Sequence, residues 1–339
     1  MFLCYVLKLN TFWQPIQMIS IIIVNYRGWS ALKKCLLSLD QIEDQIGFEV
    51  IVVDNYSNDG EFLNFKNEFP SFQFILNEGN FGFANGCNLG AKVSIGNYLL
   101  FLNPDTIIKN DTLQSLKEIY QSHPEIALLS CVQQDENGRT ERQERLFPSF
   151  FRFFGVFRSF DRILNRRKYR ERFKDTDSDL IFPDWISGSV VFTDSSWFDK
   201  VSGWNEDFWL YLEDVDFCKR ISEQGGKMAI SRKTSILHMH GGTSRINLKT
   251  KALTKTEVII SKHVYISLHF NPLEAFLLHF LMITGFLIER IFLSIVGILF
   301  FFKPKLRVNI FILKNLLVYY ANALRHLTWI SPRSVNFRK

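Results

Sequence analysis

ISIIIVNYRGWSALKKCLLSL, residues 19–39, sets a continuous β-branched run directly ahead of a segment in which Leu32, Leu36 and Leu39 recur at helical spacing. A strand that is apolar on both faces is one buried on both faces, the condition of a parallel sheet between helices. The unit then repeats. EVIVVDN (Glu49–Asn55) reads as a second strand, FQFILN (Phe72–Asn77) as a third and YLLFLNPD (Tyr98–Asp105) as a fourth, with the Gly/Asn-rich NEGNFGFANGCNLGAKVSIG between the last two. Alternation of this kind predicts an α/β fold, a Rossmann-like and mostly parallel sheet flanked by helices. Ligands of such sheets bind beyond the carboxyl ends of the strands. Here those ends are polar: Asn25 with Tyr26, Asp54 with Asn55, Asn77, and Asn103 with Asp105. They are expected to converge on one site.

Further along, DWISGSVVFT (Asp184–Thr193) predicts another strand, and a helix starting near Asp214 is expected to end at Gly225-Gly226. Residues 139–180 differ in character. Twelve Arg and Lys residues, from Arg139 to Lys174, interleave with phenylalanines, which marks an insertion rather than core. It reads either as a solvated helical excursion or as a basic edge facing phospholipid or an acceptor's pyrophosphate. Beyond residue 262 the chain turns apolar. Ala275–Ile288 and Ile291–Phe302 are separated by Glu289-Arg290, and each is shorter than the roughly 20 residues of a spanning helix. One helix through both would place the charged pair near mid-bilayer at about 2.5–3.5 kcal/mol per residue, so a re-entrant or interfacial hairpin is expected. In LRVNIFILKNLLVYYANALRHL (Leu306–Leu327), Arg307, Lys314 and Arg325 fall on one stripe of a helix. That amphipathic pattern reads as a membrane-surface helix, with buried packing as the alternative.

The net charge is +6, and after Glu289 nine basic residues follow with no acidic one. Because those cations alternate with Leu, Ile, Phe and Tyr, an anionic membrane surface is the expected partner and nucleic acid is not. With 47% hydrophobic and 22% charged residues, a disordered chain is excluded. The five cysteines form no CxxC and no zinc spacing, which implies a reducing compartment. No signal peptide is evident at the N-terminus. The expected organisation is an extension over 1–17 with Met18 as an alternative start, a catalytic domain over 18–262 carrying the insertion at 139–180, and membrane-associated helices over 263–339. Oligomeric state is not legible in the sequence.

Several groups carry potential chemistry. Asp54, ending a buried strand, is able to accept from the ring N–H of a pyrimidine base, or to serve as a turn aspartate. Around Asn80, Gly82, Phe83 and Asn88, glycines would let the backbone approach a phosphorylated ligand, or simply form a tight turn. Glu213, Asp214 and Asp216 crowd a helix start, where the dipole favours anions and where capping is the plain alternative. His238 and His240 alternate on a strand and so share a face.

SIIIVNYRG, EVIVVDNYSNDG, NEGNFGFANGCNLGA leading into YLLFLNPDT, DWISGSVVF, GWNEDFWLYLEDVDFCKR and ILHMHGGTS occur in this order from about Ser20 to Ser244. Together they resemble the family 2 nucleotide-sugar glycosyltransferases of GT-A fold, especially the bacterial rhamnosyltransferase-like branch. The resemblance implies an inverting transfer of rhamnose or a hexose from a nucleoside-diphosphate sugar to a hydroxyl of a polyprenyl-diphosphate-linked or polysaccharide glycan, at the cytoplasmic face of the inner membrane. It implies donor contacts from Asn25, Asp54, Asn80, Gly82, Phe83, Asn88 and Asn103. Asp105 would bind Mn²⁺ or Mg²⁺, although Asn103 stands where many relatives have a second carboxylate; His238 would reach the metal or diphosphate from the far side. Asp214 would be the general base with Glu213 its competitor, and Trp185, Gly188 and Trp209 would face the acceptor. Two rival readings are a nucleotidyltransferase, for which VNYRGWS lacks the basic Gly-rich signature, and a non-catalytic membrane-anchored nucleotide-sugar-binding protein, which would not need Asp214 and Asp105.

Overall fold

The computed structural model describes residues 18–42, 47–153, 155–167, 173, 178–239, 247–300 and 302–338. The extension over 1–17, His240 with the Gly-Gly-Thr-Ser that follows it, and Lys168, Arg170, Arg172 and Lys174 of the insertion lie outside the described residues.

One sheet organises the chain. Its strands are β1 (Ile19–Asn25), β2 (Phe48–Asp54), β3 (Gln73–Leu76), β4 (Tyr98–Leu102), β5 (Thr106–Ile107), β6 (Ile126–Gln134), β7 (Leu180–Ile181), β8 (Val190–Asp194) and β9 (Lys227–His238). They lie in the order β3-β2-β1-β4-β8-β6-β9-β5, with β7 paired to β9. The helices are α1 (Trp29–Asp40), α2 (Glu61–Glu68), α3 (Phe83–Val93), α4 (Thr112–Ser122), α5 (Gly155–Leu164), α6 (Ser195–Lys200), α7 (Glu213–Glu223), α8 (Leu248–His269), α9 (Pro272–Leu299) and α10 (Pro304–His326). Every residue of β1 is buried, because α1, α2 and α4 cover one face of the sheet and α3 and α7 the other.

The sheet is mixed rather than mostly parallel. β3, β2, β1 and β4 run parallel as the sequence predicts, but β8 is antiparallel to both β4 and β6. The insertion explains this. It leaves the carboxyl end of β6 and delivers Val190 of β8 opposite Leu102 at the carboxyl end of β4, so no crossover intervenes. The inserted segment therefore starts at the edge where the strands end, and its last residues run back along the sheet as β7, where Leu180 pairs with Ser231 of β9.

α8, α9 and α10 pack around Ala252, Ile259, Ile266, Leu278, Met282, Val308, Ile312 and Leu316. Asn247 caps α8 by accepting from the Thr250 N–H, and Asn271 caps α9 at the Glu274 N–H with Pro272 in the first turn. The expected boundary at residue 262 falls inside α8, which runs unbroken because one part of it grips the catalytic sheet and another the helical module. Ser261 Oγ donates to the Leu210 carbonyl, His269 Nε2 lies 2.8 Å from Asp216 Oδ1, and Val264 and Tyr265 pack on Phe208 and Val215. In the module, His263 and His279 meet at 2.8 Å between their Nδ1 atoms, with Trp329 stacked on both rings.

Two expectations for the tail are corrected. Residues 272–299 form one helix, not a hairpin; Arg290 is accommodated because its Nη1 donates to Asn309 Oδ1 at 2.6 Å, with Glu289 3.4 Å away. The apolar face of α10 is covered by α8 and α9, so its amphipathic pattern reflects packing within the protein; Arg307, Lys314 and Arg325 are exposed on the opposite side. The large exposed apolar surface belongs to α9, where Leu273, Phe276, Phe280, Ile288 and Phe292 are each more than half exposed.

Gly82 has φ +98° and ψ 175°, a region open essentially to glycine alone, and a Cβ there would lie 2.1 Å from the Trp209 carbonyl oxygen. Gly138, at φ +74°, faces open space. Gly82→Ala is expected to cost about 3 kcal/mol or more, and Gly138→Ala about 1 kcal/mol, in thermal or denaturant unfolding. Equal effects would show that the Trp209 contact yields without cost.

Candidate active site

The strand ends build the floor of the site. The register sets Asn25 opposite Asp54, and the two are tied by a bond from Asn25 Nδ2 to Asp54 Oδ1. Ser57 donates to the same carboxylate through its N–H (2.9 Å) and its hydroxyl (2.5 Å). Burial raises the Asp54 pKa, and the hydrogen bonds from Ser57 and Asn25 oppose that rise. Next to this knot, Asn55 Nδ2 donates to the Gly82 carbonyl (2.7 Å), and Asn77 Nδ2 bridges Asn55 Oδ1 and Asn85 Oδ1. The backbone of the Gly/Asn-rich loop is thus held by side chains from two strand ends.

Above this floor lies a cavity of about 250 Å³, lined by Val24, Tyr26, Asn55, Asn80, Gly82, Phe83, Asn103, Asp105 and Trp209, and closed by Thr250, Leu253 and Thr254 of α8. Five of the expected donor-side and metal residues, Asn80, Gly82, Phe83, Asn103 and Asp105, meet here. Asn25, Asp54 and Asn88 stand behind the wall. Asp54 is 1% exposed, and Asn88 is occupied by the Trp204 backbone and Glu206. Trp209, expected on the acceptor side, instead lines this cavity because its ring N–H donates to the Asn80 carbonyl (2.9 Å) and its own carbonyl accepts from the Phe83 N–H (3.1 Å).

Asp105 sits at the cavity rim, with Oδ1 3.2 Å from His238 Nε2. On its other side, His238 Nδ1 is 2.9 Å from Gln133 Oε1 and 3.3 Å from Glu141 Oε1. Burial disfavours the charged ring, but the hydrogen bonds to Asp105 and Glu141 prevail and raise its pKa to about 9. The donor set fits a divalent cation: a carboxylate oxygen and an imidazole nitrogen lie close enough to share one ion, and the second ring nitrogen is fixed by an amide oxygen and a carboxylate, as metal-bound histidines are. The pair holds either a shared proton or, in its place, the ion. Among the described residues no three His, Cys, Asp or Glu side chains gather as a cation cage, so substrate phosphates and water would complete such a site.

The segment before α7 presents the second pair of carboxylates. Tyr211 and Leu212 take φ of 72° and 65°, consecutive left-handed residues that turn the chain sharply into the helix. The cost, about 1–2 kcal/mol for each, is offset by the bond from the Asp216 N–H to the Leu212 carbonyl and the anchor from Ser261 to Leu210. Asp214 Oδ2 accepts the Gly188 N–H at 3.1 Å, and Oδ1 accepts the Val215 N–H. Glu213 is 7% exposed, with Oε2 lacking a hydrogen-bond partner. Burial, then the neighbouring Asp214 charge, pushes the Glu213 pKa well up. Burial raises Asp214 too, but the Gly188 N–H and the Arg145 charge oppose it. Burial thus favours the protonated form of both carboxyls, most strongly that of Glu213, while Asp214 is the one of the two with an N–H and a guanidinium beside it that favour its charge. Asp216 is structural, bound to Arg220 and His269.

Asp214 lines a second cavity, of about 550 Å³, together with Trp185, Tyr211, Arg142, Arg145, Arg152 and Lys262. Gly188 separates the two cavities: a Cβ on it would lie 3.4 Å from the Asp214 Cβ and 3.4 Å from the Phe83 ring. Trp185 and Gly188 thus stand beside Asp214. Glu141 links the sites, holding Arg145 at 2.9 Å with one oxygen and facing His238 with the other. Sequence reasoning missed Glu141, Arg145 in this role, and the α8 residues Thr250 and Thr254. Glu141 and Arg145 lie inside the stretch read either as a solvated excursion or as a basic edge, and the bond from the Glu141 N–H to the Gln133 carbonyl at the end of β6 brings them in.

Residues 20–188 match the family model Glycosyl transferase family 2, and residues 173–241 match the N-terminal domain of galactosyltransferase. Among similar proteins, Rhamnosyltransferase WbbL of Escherichia coli is 27% identical over 219 residues, covering 62% of this chain and 79% of the relative. The N-acetylglucosaminyl-diphospho-decaprenol L-rhamnosyltransferase of Mycobacterium tuberculosis is 23% identical over 239 residues, covering 66% and 76%. The crystal structure of S. aureus TarS 1-349 superposes with a TM-score of 0.50 at 16% identity, covering 74% of this chain and 65% of that one. This last likeness is one of fold.

The rise of the Glu213 pKa is testable. A carboxyl whose pKa is raised on folding contributes stability that is complete below its unfolded value, 4.5, and lost as pH rises through the folded value. Glu213→Gln mimics the protonated form. Its thermal midpoint is expected to match wild type near pH 4.5 and to exceed it increasingly toward pH 8; a gap that stays constant across that range refutes the rise.

Proposed function

The domain over residues 20–188 belongs to glycosyl transferase family 2, and on that premise we propose how this inverting glycosyltransferase uses its two cavities. The nucleoside-diphosphate sugar lies in the cavity of Asn80, Phe83, Asn103 and Asp105, and the acceptor hydroxyl enters from the cavity of Asp214 and Trp185. The observation that carries this reading is the contact chain Phe83–Gly188–Asp214, which sets a carboxylate at the junction of the two spaces. Inversion needs that geometry: the attacking oxygen and the leaving phosphate lie on opposite sides of the anomeric carbon.

As the acceptor oxygen forms its bond to the anomeric carbon, Asp214 takes its proton, and the bond to the nucleoside diphosphate breaks with the electron pair leaving on phosphate oxygen. Burial raises the Asp214 pKa, which suits a base, and the Gly188 N–H and the Arg145 charge oppose that rise. A divalent cation, Mn²⁺ or Mg²⁺, held by Asp105 and His238 would supply charge neutralisation for the departing diphosphate. Asn103 adds an uncharged contact, and Trp209 fixes the Asn80 loop. Thr250, Leu253 and Thr254 line the cavity from the side of α8.

The relatives' names support rhamnose as the transferred sugar, with another hexose as the alternative, and a lipid-linked acceptor; the role that goes with this is the assembly of a cell-surface polysaccharide. α9 supports membrane association: it is 28 residues long, with a mean hydropathy of 2.0 and 17% burial over its most apolar stretch. In this reading the enzyme works at the cytoplasmic face of the membrane, where a polyprenyl-diphosphate acceptor presents its head group. Its basic side chains meet anionic lipid there; nucleic acid is not a partner.

Asp214→Asn is expected to reduce transfer by about a thousandfold or more while nucleotide binding, read as the thermal shift given by UDP, dTDP or GDP with Mn²⁺, stays near wild type. Substantial turnover in this variant would assign the proton to another group. The apolar surface of α9 is tested with Phe276→Lys, Phe280→Lys and Phe292→Lys combined, all on exposed positions. The triple variant is expected to move from the membrane pellet to the soluble fraction without losing its nucleotide-induced thermal shift; an unchanged pellet fraction contradicts the α9 anchor.

A further inference from the structure

The cavity that holds Asp214 is more basic than removing one proton requires. Arg142, Arg145 and Arg152 come to it from the insertion and Lys262 from α8, against the carboxylates of Glu144, Glu213 and Asp214. The lining thus sets four cations against three carboxylates. The arginines differ in how firmly they are held. Arg145 is fixed by Glu141 at 2.9 Å and stacks on Trp185 with 4.8 Å between guanidinium and ring centre. Arg152 pairs with Asp161 at 3.0 Å. Arg142 meets Glu144 at 3.4 Å, with both side chains nearly half exposed. Such a pair contributes little to stability, and its guanidinium is positioned to exchange partners for a bound anion.

The position of Lys262 adds the second observation. Its ammonium lies 5.5 Å from the ring centre of Phe286 on α9, so the basic cavity opens beside the helix that exposes the largest apolar surface of the protein. A ligand matching this order of surfaces has a sugar hydroxyl at Asp214, an anionic group among the cations, and a hydrocarbon chain leading away along α9. We propose that Arg142, Arg145, Arg152 and Lys262 form an anion subsite for the diphosphate of a lipid-linked acceptor. This assignment rests on the reading of Asp214 as the acceptor-side base. It names the side chains that distinguish a diphosphate-linked glycan from a neutral one. A guanidinium pairs with phosphate through two parallel N–H donors, which suits the arginines to this role.

The test is equilibrium binding to the full chain in detergent micelles, kept separate from transfer. The probes are N-acetylglucosaminyl-diphospho-farnesol and the same glycolipid lacking phosphates. Wild type is expected to bind the diphosphate probe about tenfold more tightly or better, and Arg142→Gln and Lys262→Gln each to reduce that preference by about threefold to tenfold. Retention of the nucleotide-induced thermal shift shows that the variants are folded. Equal affinity of wild type for the two probes, or a preference unmoved in the double variant, overturns the subsite. If wild type keeps the preference but transfers to neither probe, the subsite stands and the catalytic reading falls. Vesicles of phosphatidylcholine with phosphatidylglycerol distinguish the other source of phosphate. Variants that bind these vesicles like wild type support the acceptor; variants that lose vesicle and probe binding together assign the cations to phospholipid heads and overturn it.

Discussion

The site depends on one backbone contact, in which the carbonyl of Trp209 meets the start of α3 at Gly82 and Phe83. It accepts the Phe83 N–H, it leaves no room for a side chain on residue 82, and the Trp209 ring returns a hydrogen bond to Asn80. Residues more than 120 apart in sequence are thereby locked together. The loop over the parallel half of the sheet and the turn that launches α7 become one rigid unit. Asp214 follows five residues after Trp209, so its distance from the donor cavity is fixed by this contact.

The strand ends supply the other half of the geometry. The parallel register aligns Asn25, Asp54 and Asn77 at one edge, where their side chains bind one another and the loop rather than project into the cavity. Buried polar groups require partners, and here the partners are their neighbours. The residues that face the cavity are the next layer, Asn55, Asn80, Phe83, Asn103 and Asp105. Polarity at a strand end therefore marks the right edge of the sheet without separating the side chains that build the wall from those that line it.

The insertion and the helical module have related roles. Because the insertion leaves β6 at the carboxyl edge and the Glu141 N–H donates back to the Gln133 carbonyl there, Glu141 and Arg145 are drawn between the His238–Asp105 pair and the Asp214 cavity. α8 lines the cavity of Asn80 and Asp105 with Thr250 and Thr254, lines the second cavity with Lys262, and ties to α7 through His269 and Asp216. Catalytic sheet and apolar helices are thus one continuous construction, with the cations at their junction.

The sequence by itself determined the α/β alternation, the edge at which the site lies, the helix start carrying Glu213 and Asp214, and the placement of Asp105 and His238 at strand ends. These follow from local periodicity and from residues whose chemistry is readable one at a time. It did not separate Asp54 from the cavity lining, and it did not group Trp209 with Asn80 and Asp105, because both depend on which neighbour satisfies a buried polar group. Tertiary structure alone decided that the Glu213 pKa is raised, since desolvation is a property of the packed environment. It alone decided that the apolar stripe of α10 faces protein while α9 faces outward: an amphipathic pattern specifies that a face is covered, and only packing specifies by what.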